Sequence, residues 1–210
     1  MTVHRGLLAL AFAGGIITAA GGWLLWPERE AEPSASALMD AVMWNKGPIG
    51  GPFNLIDQDG KPRSDSDFRG KLLLVYFGYT YCSDICPTDL QAISMAIDRL
   101  GAAGEAVQPL FITVDPEHDT PETIKLYVGL FHPRLIGLTG SVRQIKQVAR
   151  AYKVYYANSQ SEKKSDRVID HSGFVFLVGR DGQYLGFFPP GTPADRMIDV
   201  IRPYLATAQR

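Results

Sequence analysis

The stretch KLLLVYFGYTYCSDICP, residues 71–87, gives the strongest structural signal in the chain. The run from Lys71 to Phe77 is apolar after its first residue, as is typical of a central strand covered on both faces. After Pro87, apolar residues at 90, 93, 96, 97 and 100 have helical spacing, so a helix should follow. Because ligands in α/β folds bind at the carboxyl ends of strands, the segment between this strand and the helix is the predicted location of a functional site.

The apolar runs outside this stretch predict further strands alternating with helices. The last two strands flank Arg180-Asp181-Gly182 and should form a hairpin, and Asp119 with Glu122 is predicted to cap a helix. Alternation that ends in a hairpin indicates an α/β fold with a mixed sheet flanked by helices. The expected strands are 53–56, 110–114, 135–138, 173–178 and 184–188, and the expected helices are 119–130, 142–152 and 194–205.

Composition limits the function classes. The 210 residues are 46% hydrophobic and 20% charged, which suits one globular domain with an accessory segment. The 21 basic and 22 acidic residues are scattered, and the formal net charge is −1. Since phosphate backbones require clustered Lys and Arg, we expect no nucleic-acid partner.

Residues 7–26, LLALAFAGGIITAAGGWLLW, contain no charged residue. A helix of this length would reach about 30 Å, the thickness of a bilayer core, so it is predicted to be a transmembrane anchor. Arg5 precedes it and acidic residues outnumber Arg29 after it, which places residues 1–6 in the cytoplasm. The polar residues 27–44 then form a linker, and residues 45–210 form the domain on the outer side. The alternative is a signal peptide cleaved near Ala35-Ser36-Ala37.

Cys82 and Cys86 are the two cysteines of the chain, and their spacing allows both sulfurs to face one point. Cys86, directly before Pro87, is a candidate helix N-cap, a position that lowers the pKa of a thiol. A purely stabilising disulfide is the alternative, but such a small loop would contribute only about 2 kcal/mol. A functional role in redox or metal chemistry is therefore favoured.

Among the four histidines, His171 is the candidate partner of the cysteines, although a lone histidine is more often a surface or capping residue. Asp170 before it could fix the ring. Thiolates select copper(I), zinc or iron–sulfur clusters, and three ligands are too few for a closed zinc site. His118 and His132 are expected at the surface. Met95 and Met197 occupy apolar helical positions and are expected in the core.

Five motifs in the same order resemble those of the Sco/SenC family, the copper-binding assembly factors of cytochrome c oxidase. The resemblance extends from about residue 53 to the C-terminal helix. It implies a thioredoxin-like fold and copper(I) or copper(II) held by Cys82, Cys86 and His171. Many members have His and Pro where this chain has Tyr81 and Ser83, which affects the rigidity of the loop. The motifs are YFGYTYCSDICP (76–87), VDPEHDTPE (114–122), GLTGS (137–141), VARAYKVYY (148–156) and VIDHSGFVFLVGRDG (168–182).

The resemblance also implies a setting and partners. The domain would face the periplasm from a bacterial inner membrane, and its partner would be the copper-site subunit of cytochrome c oxidase. Another copper chaperone or a thioredoxin-like reductant is a further expected partner. Asp115 is expected either near the site or as loop support, and the polar residues 158–167 are expected to be mobile.

Three functions are compatible with the cysteine pair. The first is a copper chaperone, and the second is a thiol-disulfide oxidoreductase that reduces the cysteines of the oxidase copper site. The oxidoreductase interpretation is weakened because the usual Cys-x2-Cys spacing is missing. The third, a peroxiredoxin-like peroxidase, would require Pro and Thr at positions occupied by Tyr79 and Ser83.

Overall fold

The computed structural model describes residues 48–83, 85–158 and 169–206. Within these ranges no helix is long and apolar enough to cross a membrane, and the anchor predicted at 7–26 lies outside them. The strands are β1 Asn54–Asp57, β2 Pro62–Ser64, β3 Leu72–Gly78, β4 Val107–Thr113, β5 Ile136–Thr139, β6 Tyr156–Asn158, β7 Ile169–His171, β8 Val175–Val178 and β9 Tyr184–Phe188. The α-helices are α1 Ile85–Arg99, α2 Pro121–Val128, α3 Val142–Ala151 and α4 Ala194–Ala206, and short 3-10 helices span Asp65–Phe68 and Gly101–Ala106.

Seven strands form one mixed sheet in the order β2-β1-β5-β4-β3-β8-β9. The three central strands β5, β4 and β3 are parallel, and the other neighbours pair antiparallel. The predicted hairpin is confirmed, with Val175 opposite Phe188 across β8 and β9. The predicted mixed α/β fold with a sheet flanked by helices is therefore correct.

Strand β3 is the centre of the core, and all seven of its residues are buried. Alternate side chains point to opposite faces of a strand, so β3 supplies both layers. Leu73, Val75 and Phe77 pack in the cluster that contains the apolar residues of α3. Leu72, Leu74 and Tyr76 pack in the cluster formed by α1, α2 and α4. A strand covered on both sides needs the continuous apolar run that the sequence shows.

The parallel pairing of β3 with β4 brings two loops to one edge of the sheet. Gly78 at the end of β3 lies opposite Thr113 at the end of β4. The N–H of Val114 donates to the carbonyl of Gly78 over 2.8 Å. The cysteine loop after β3 and the VDPEHD loop after β4 therefore begin side by side.

Three expectations from the sequence need correction. Strand β4 begins at Val107 rather than at residue 110. The prediction started too late because Gln108 and Pro109 interrupt the apolar run, although both residues lie within the strand. Helix α2 begins at Pro121 with Thr120 as its N-cap, which accepts from the N–H of Thr123, so the predicted Asp119 cap is wrong. His132 is buried rather than at the surface, with Nε2 3.3 Å from Asp98 Oδ1.

The last feature is a two-stranded ribbon formed by β6 and β7, which is separate from the main sheet. Tyr156 pairs with His171, and Asn158 pairs with Ile169. The residues between 158 and 169 lie outside the described ranges, so the predicted mobility of 158–167 stays a prediction. The ribbon places His171 at the end of β7, four positions before Val175, where β8 begins.

Candidate metal centre

Cys82, Cys86 and His171 come together at the edge of the sheet where β3 ends. One ligand atom from each lies within 4.8 Å of the others. Cys86 Sγ is 3.3 Å from His171 Nε2. Cys86 is fully buried and Cys82 is partly exposed, and no disulfide joins them. The structure thus joins the three residues singled out in the sequence, two of them 85 positions apart.

The position of Cys86 differs from the one predicted. Helix α1 begins at Ile85, so Cys86 is its second residue and not its N-cap. The neighbouring Cys82 sulfur, as hydrogen-bond partner, and burial raise the pKa of the Cys86 thiol, whereas the sequence predicted a lowered pKa. A metal ion that binds here must therefore displace the proton of a buried thiol.

Gly78 leaves the space that the Cys86 sulfur occupies. A Cβ on Gly78 would lie 2.8 Å from Cys86 Sγ and 3.1 Å from atoms of both Phe111 and Tyr76. The glycine of the YFG sequence therefore serves close packing rather than an unusual backbone angle. The sequence signal was present, since a glycine at the end of an otherwise apolar strand marks a close approach.

We expect Gly78→Ala to displace Cys86 and to destabilise the protein by about 1 to 3 kcal/mol, the usual result of overpacking. Copper affinity should fall with it, because the displaced atom is a ligand candidate. Gly186→Ala on β9 is the matched control, since a Cβ there meets no atom within 4 Å. Chemical unfolding and chelator competition measure the two effects. Equal behaviour of both variants would contradict the packing argument.

Asp119 holds the start of the cysteine loop. It is buried, and its carboxylate accepts from the N–H of Thr80 at 3.0 Å and from the hydroxyl of Thr80 at 2.6 Å. It also accepts from the hydroxyl of Thr113 at 2.6 Å. The carboxylate therefore connects the ends of β3 and β4 two residues before Cys82. The sequence placed Asp119 in a helix cap and missed this role.

We expect Asp119→Ala to lower copper affinity about 10- to 100-fold, the range found when outer partners of metal ligands are removed. Asp119→Asn should lose less, because an amide nitrogen at the Oδ1 position can donate to the Thr80 hydroxyl while the remaining oxygen still accepts from the Thr80 N–H and the Thr113 hydroxyl. Asp59→Ala is the control, since Asp59 forms an exposed ion pair with Lys125 and contributes little. Chelator competition ranks the variants, and an Asp119→Ala affinity within twofold of wild type would contradict this role.

The ring of His171 is held by aromatic neighbours. Tyr79 and Tyr76 both meet it edge-on, with ring centroids 5.7 Å and 6.4 Å away. Its Nδ1 is buried, and no hydrogen-bond partner reaches it within the described residues. Asp170 therefore does not fix this ring nitrogen as the sequence suggested. Asp115 supports its own loop, with Oδ1 2.8 Å from His118 Nδ1.

Asp89 is a further buried group near the centre that the sequence did not reveal. It lies one turn after Cys86, and its Oδ1 accepts from the N–H of Gly191 at 2.8 Å. Burial raises the pKa of Asp89, and the bond from Gly191 only partly offsets this. Burial also raises the pKa of Tyr76 beside Cys86. The surroundings of the site therefore favour uncharged groups.

The donor set fits copper. Two thiolate sulfurs are soft ligands that suit copper(I), and an imidazole also suits copper(II). Within the described residues, no other group of three His, Cys, Asp or Glu side chains is close enough to hold a metal ion. A fourth protein ligand, as a closed zinc site needs, is not part of this group.

Comparison with known proteins agrees with this chemistry. A model of the SCO1/SenC family matches residues 42–206. The chain belongs to this family. The mitochondrial SCO2 homologue of Bos taurus is 39% identical over 206 residues, which cover 95% of this chain and 75% of the relative.

Solved structures of SCO1/SenC relatives share the fold. The crystal structure of Arabidopsis thaliana ScoI with copper bound is 41% identical, covers 76% of this chain and 99% of that chain, and has a TM-score of 0.71. BsSco, described as a member of the Sco family of cytochrome c oxidase assembly proteins with a disulfide switch, is 28% identical. It covers 75% of this chain and 95% of its own, with a TM-score of 0.59. The central sheet flanked by helices, expected as a thioredoxin-like fold, is the fold that this chain shares with these relatives.

Proposed function

We propose that this protein is a copper chaperone that holds one copper ion with Cys82, Cys86 and His171 and assists assembly of the binuclear copper site of cytochrome c oxidase. The observation that carries the proposal is the approach of three soft or borderline ligand atoms to within 4.8 Å of one another. Membership of the SCO1/SenC family and a relative with copper bound support it.

The exposure of the two sulfurs suggests how copper would leave. Cys82 is partly exposed and Cys86 is buried, so a partner's thiolate would reach the ion from the Cys82 side. Ligand exchange then proceeds by replacement of one donor at a time. The partner would be the copper-site subunit of the oxidase, and another copper chaperone or a thioredoxin-like reductant would load or reduce the site.

The proposed organisation follows the hydropathy of the sequence. Residues 1–6 lie in the cytoplasm, 7–26 anchor the chain in a bacterial inner membrane, 27–44 form a linker and 45–210 form the copper-binding domain. The domain faces the periplasm, where its target subunit would also present its copper site.

A second candidate function is thiol-disulfide exchange, favoured by the neighbouring cysteines Cys82 and Cys86, which are not joined in a disulfide. One thiolate would attack a disulfide of the partner, and the other would then resolve the mixed disulfide. The partner gains two electrons and two protons, and Cys82 and Cys86 end as a disulfide. The disulfide switch of BsSco supports the same possibility of a reversible pair.

One experiment separates the two functions. The reduced full chain, with or without copper(I), is mixed with an oxidase copper-site fragment whose cysteines are either reduced or joined in a disulfide. A chaperone transfers copper to the reduced fragment and keeps its own thiols reduced. An oxidoreductase reduces the disulfide fragment without copper and becomes oxidised itself. Failure to bind copper would overturn the chaperone proposal.

A further inference from the structure

Tyr79 contacts both the cysteine loop and the strand β7 that carries His171, although it is not itself a candidate ligand. It directly follows Gly78, at the end of β3, and is 5% exposed. Its backbone carbonyl accepts from the N–H of Cys82 at 3.2 Å. Its phenol hydroxyl accepts from the N–H of Ile169, the first residue of β7, at 3.3 Å.

The side chain of Tyr79 also lies against the imidazole. The two rings meet at 89° with centroids 5.7 Å apart, so the imidazole packs against the phenol in an edge arrangement. Since His171 ends the strand that Ile169 begins, the hydroxyl and the ring hold the same three-residue strand at two points. The backbone of Tyr79 meanwhile holds the cysteine loop.

This double contact matters because the ribbon of β6 and β7 is not part of the main sheet. Cys86 lies in α1, and Cys82 lies in the short loop between α1 and the central strand β3. The position of the imidazole relative to the sulfurs therefore depends on side-chain contacts such as those of Tyr79. Loss of the hydroxyl would leave the cysteine loop in place and release one attachment of β7.

We propose that Tyr79 is a positioning residue whose hydroxyl sets the placement of His171 and thereby the preference of the site for copper(II) over copper(I). The proposal rests on the proposed function, in which these three residues hold copper. Copper(II) depends more on the nitrogen ligand, whereas two thiolates alone can retain copper(I). A less well placed imidazole therefore weakens copper(II) selectively.

The test compares Tyr79→Phe with wild type in the reduced, detergent-solubilised full chain. Phenylalanine keeps the ring packing and removes only the hydroxyl. Copper(II) affinity should fall about three- to tenfold, the value of one neutral hydrogen bond, with copper(I) affinity unchanged. The reduction potential should rise by about 30 to 60 mV, at 59 mV for each tenfold change in a one-electron couple.

Tyr152→Phe is the matched control, because Tyr152 is a buried tyrosine of the same core cluster. It should leave both copper affinities and the potential unchanged. Equal loss of copper(I) and copper(II) affinity in Tyr79→Phe, or no loss of either, would overturn the proposal.

A measurement on the metal-free protein tests the role of Tyr79 independently of whether the protein binds copper. The amide hydrogen of Ile169 should exchange faster in metal-free Tyr79→Phe than in wild type, and equally fast in Tyr152→Phe and wild type. Unchanged Ile169 exchange in Tyr79→Phe would show that the hydroxyl does not hold β7. If wild type binds no copper, the proposed function fails while this readout still decides whether Tyr79 anchors the strand.

Discussion

Replacing Cys86 with alanine should lower the affinity of the reduced protein for copper(I) by more than about 100-fold, beyond the loss that an outer partner produces. Cys86 is the fully buried thiol of the pair, and its Sγ lies 3.3 Å from His171 Nε2. Removing it leaves one sulfur and one nitrogen, and copper(I) strongly prefers sulfur. Competition with a chromophoric chelator measures the change.

Cys82→Ala serves as the comparison for this variant. It should lose copper affinity to a similar degree, but Cys82 is partly exposed, so its removal should change stability little. Cys86→Ala should also lose about 1 to 2 kcal/mol of unfolding free energy from the small cavity that it leaves. Retention of copper(I) affinity within threefold of wild type in Cys86→Ala would contradict the role of this sulfur.

His171→Ala should weaken copper(II) on the order of 100-fold and copper(I) by about tenfold or less, because nitrogen matters more to the harder ion. The difference corresponds to a rise in reduction potential of about 60 mV or more. The two affinities are measured separately, with chelators specific for each oxidation state. Equal loss of both would be inconsistent with an imidazole ligand that distinguishes the two ions.

A histidine control makes this result specific. His118 is exposed and pairs with Asp115, and it does not belong to the three-residue group. His118→Ala should leave both copper affinities unchanged. A similar loss in both variants would indicate that copper(II) binds to exposed imidazoles rather than at the centre.

The central strand and the ligand candidates could be predicted from the sequence because their signals are local. The apolar run of β3 and the helical spacing in α1 depend on residues close together in the chain. The spacing of Cys82 and Cys86 is likewise local. His171 is a candidate from the sequence alone, but its selection as a ligand depends on the family resemblance, because a strand-end histidine has no local feature that separates a ligand from a surface residue.

The supporting residues could not be predicted, because their partners are distant in the chain. The hydrogen bond between Tyr79 and Ile169 joins residues 90 positions apart, and the hydrogen bond between Asp119 and Thr80 joins residues 39 positions apart. Contacts between residues so far apart leave no periodic pattern in the sequence from which they could be predicted. Asp119 also looked like a helix cap, and that role belongs to Thr120, whose following proline is the usual first residue of a helix.

The most direct test of the copper site is a titration of the reduced full chain with copper, beside Cys82→Ala, Cys86→Ala, His171→Ala and His118→Ala. We predict one copper ion per wild-type chain, weaker binding in each of the first three variants and unchanged binding in His118→Ala. Wild-type binding that survives all three ligand substitutions, or a stoichiometry that falls equally with His118→Ala, would contradict a copper centre formed by Cys82, Cys86 and His171.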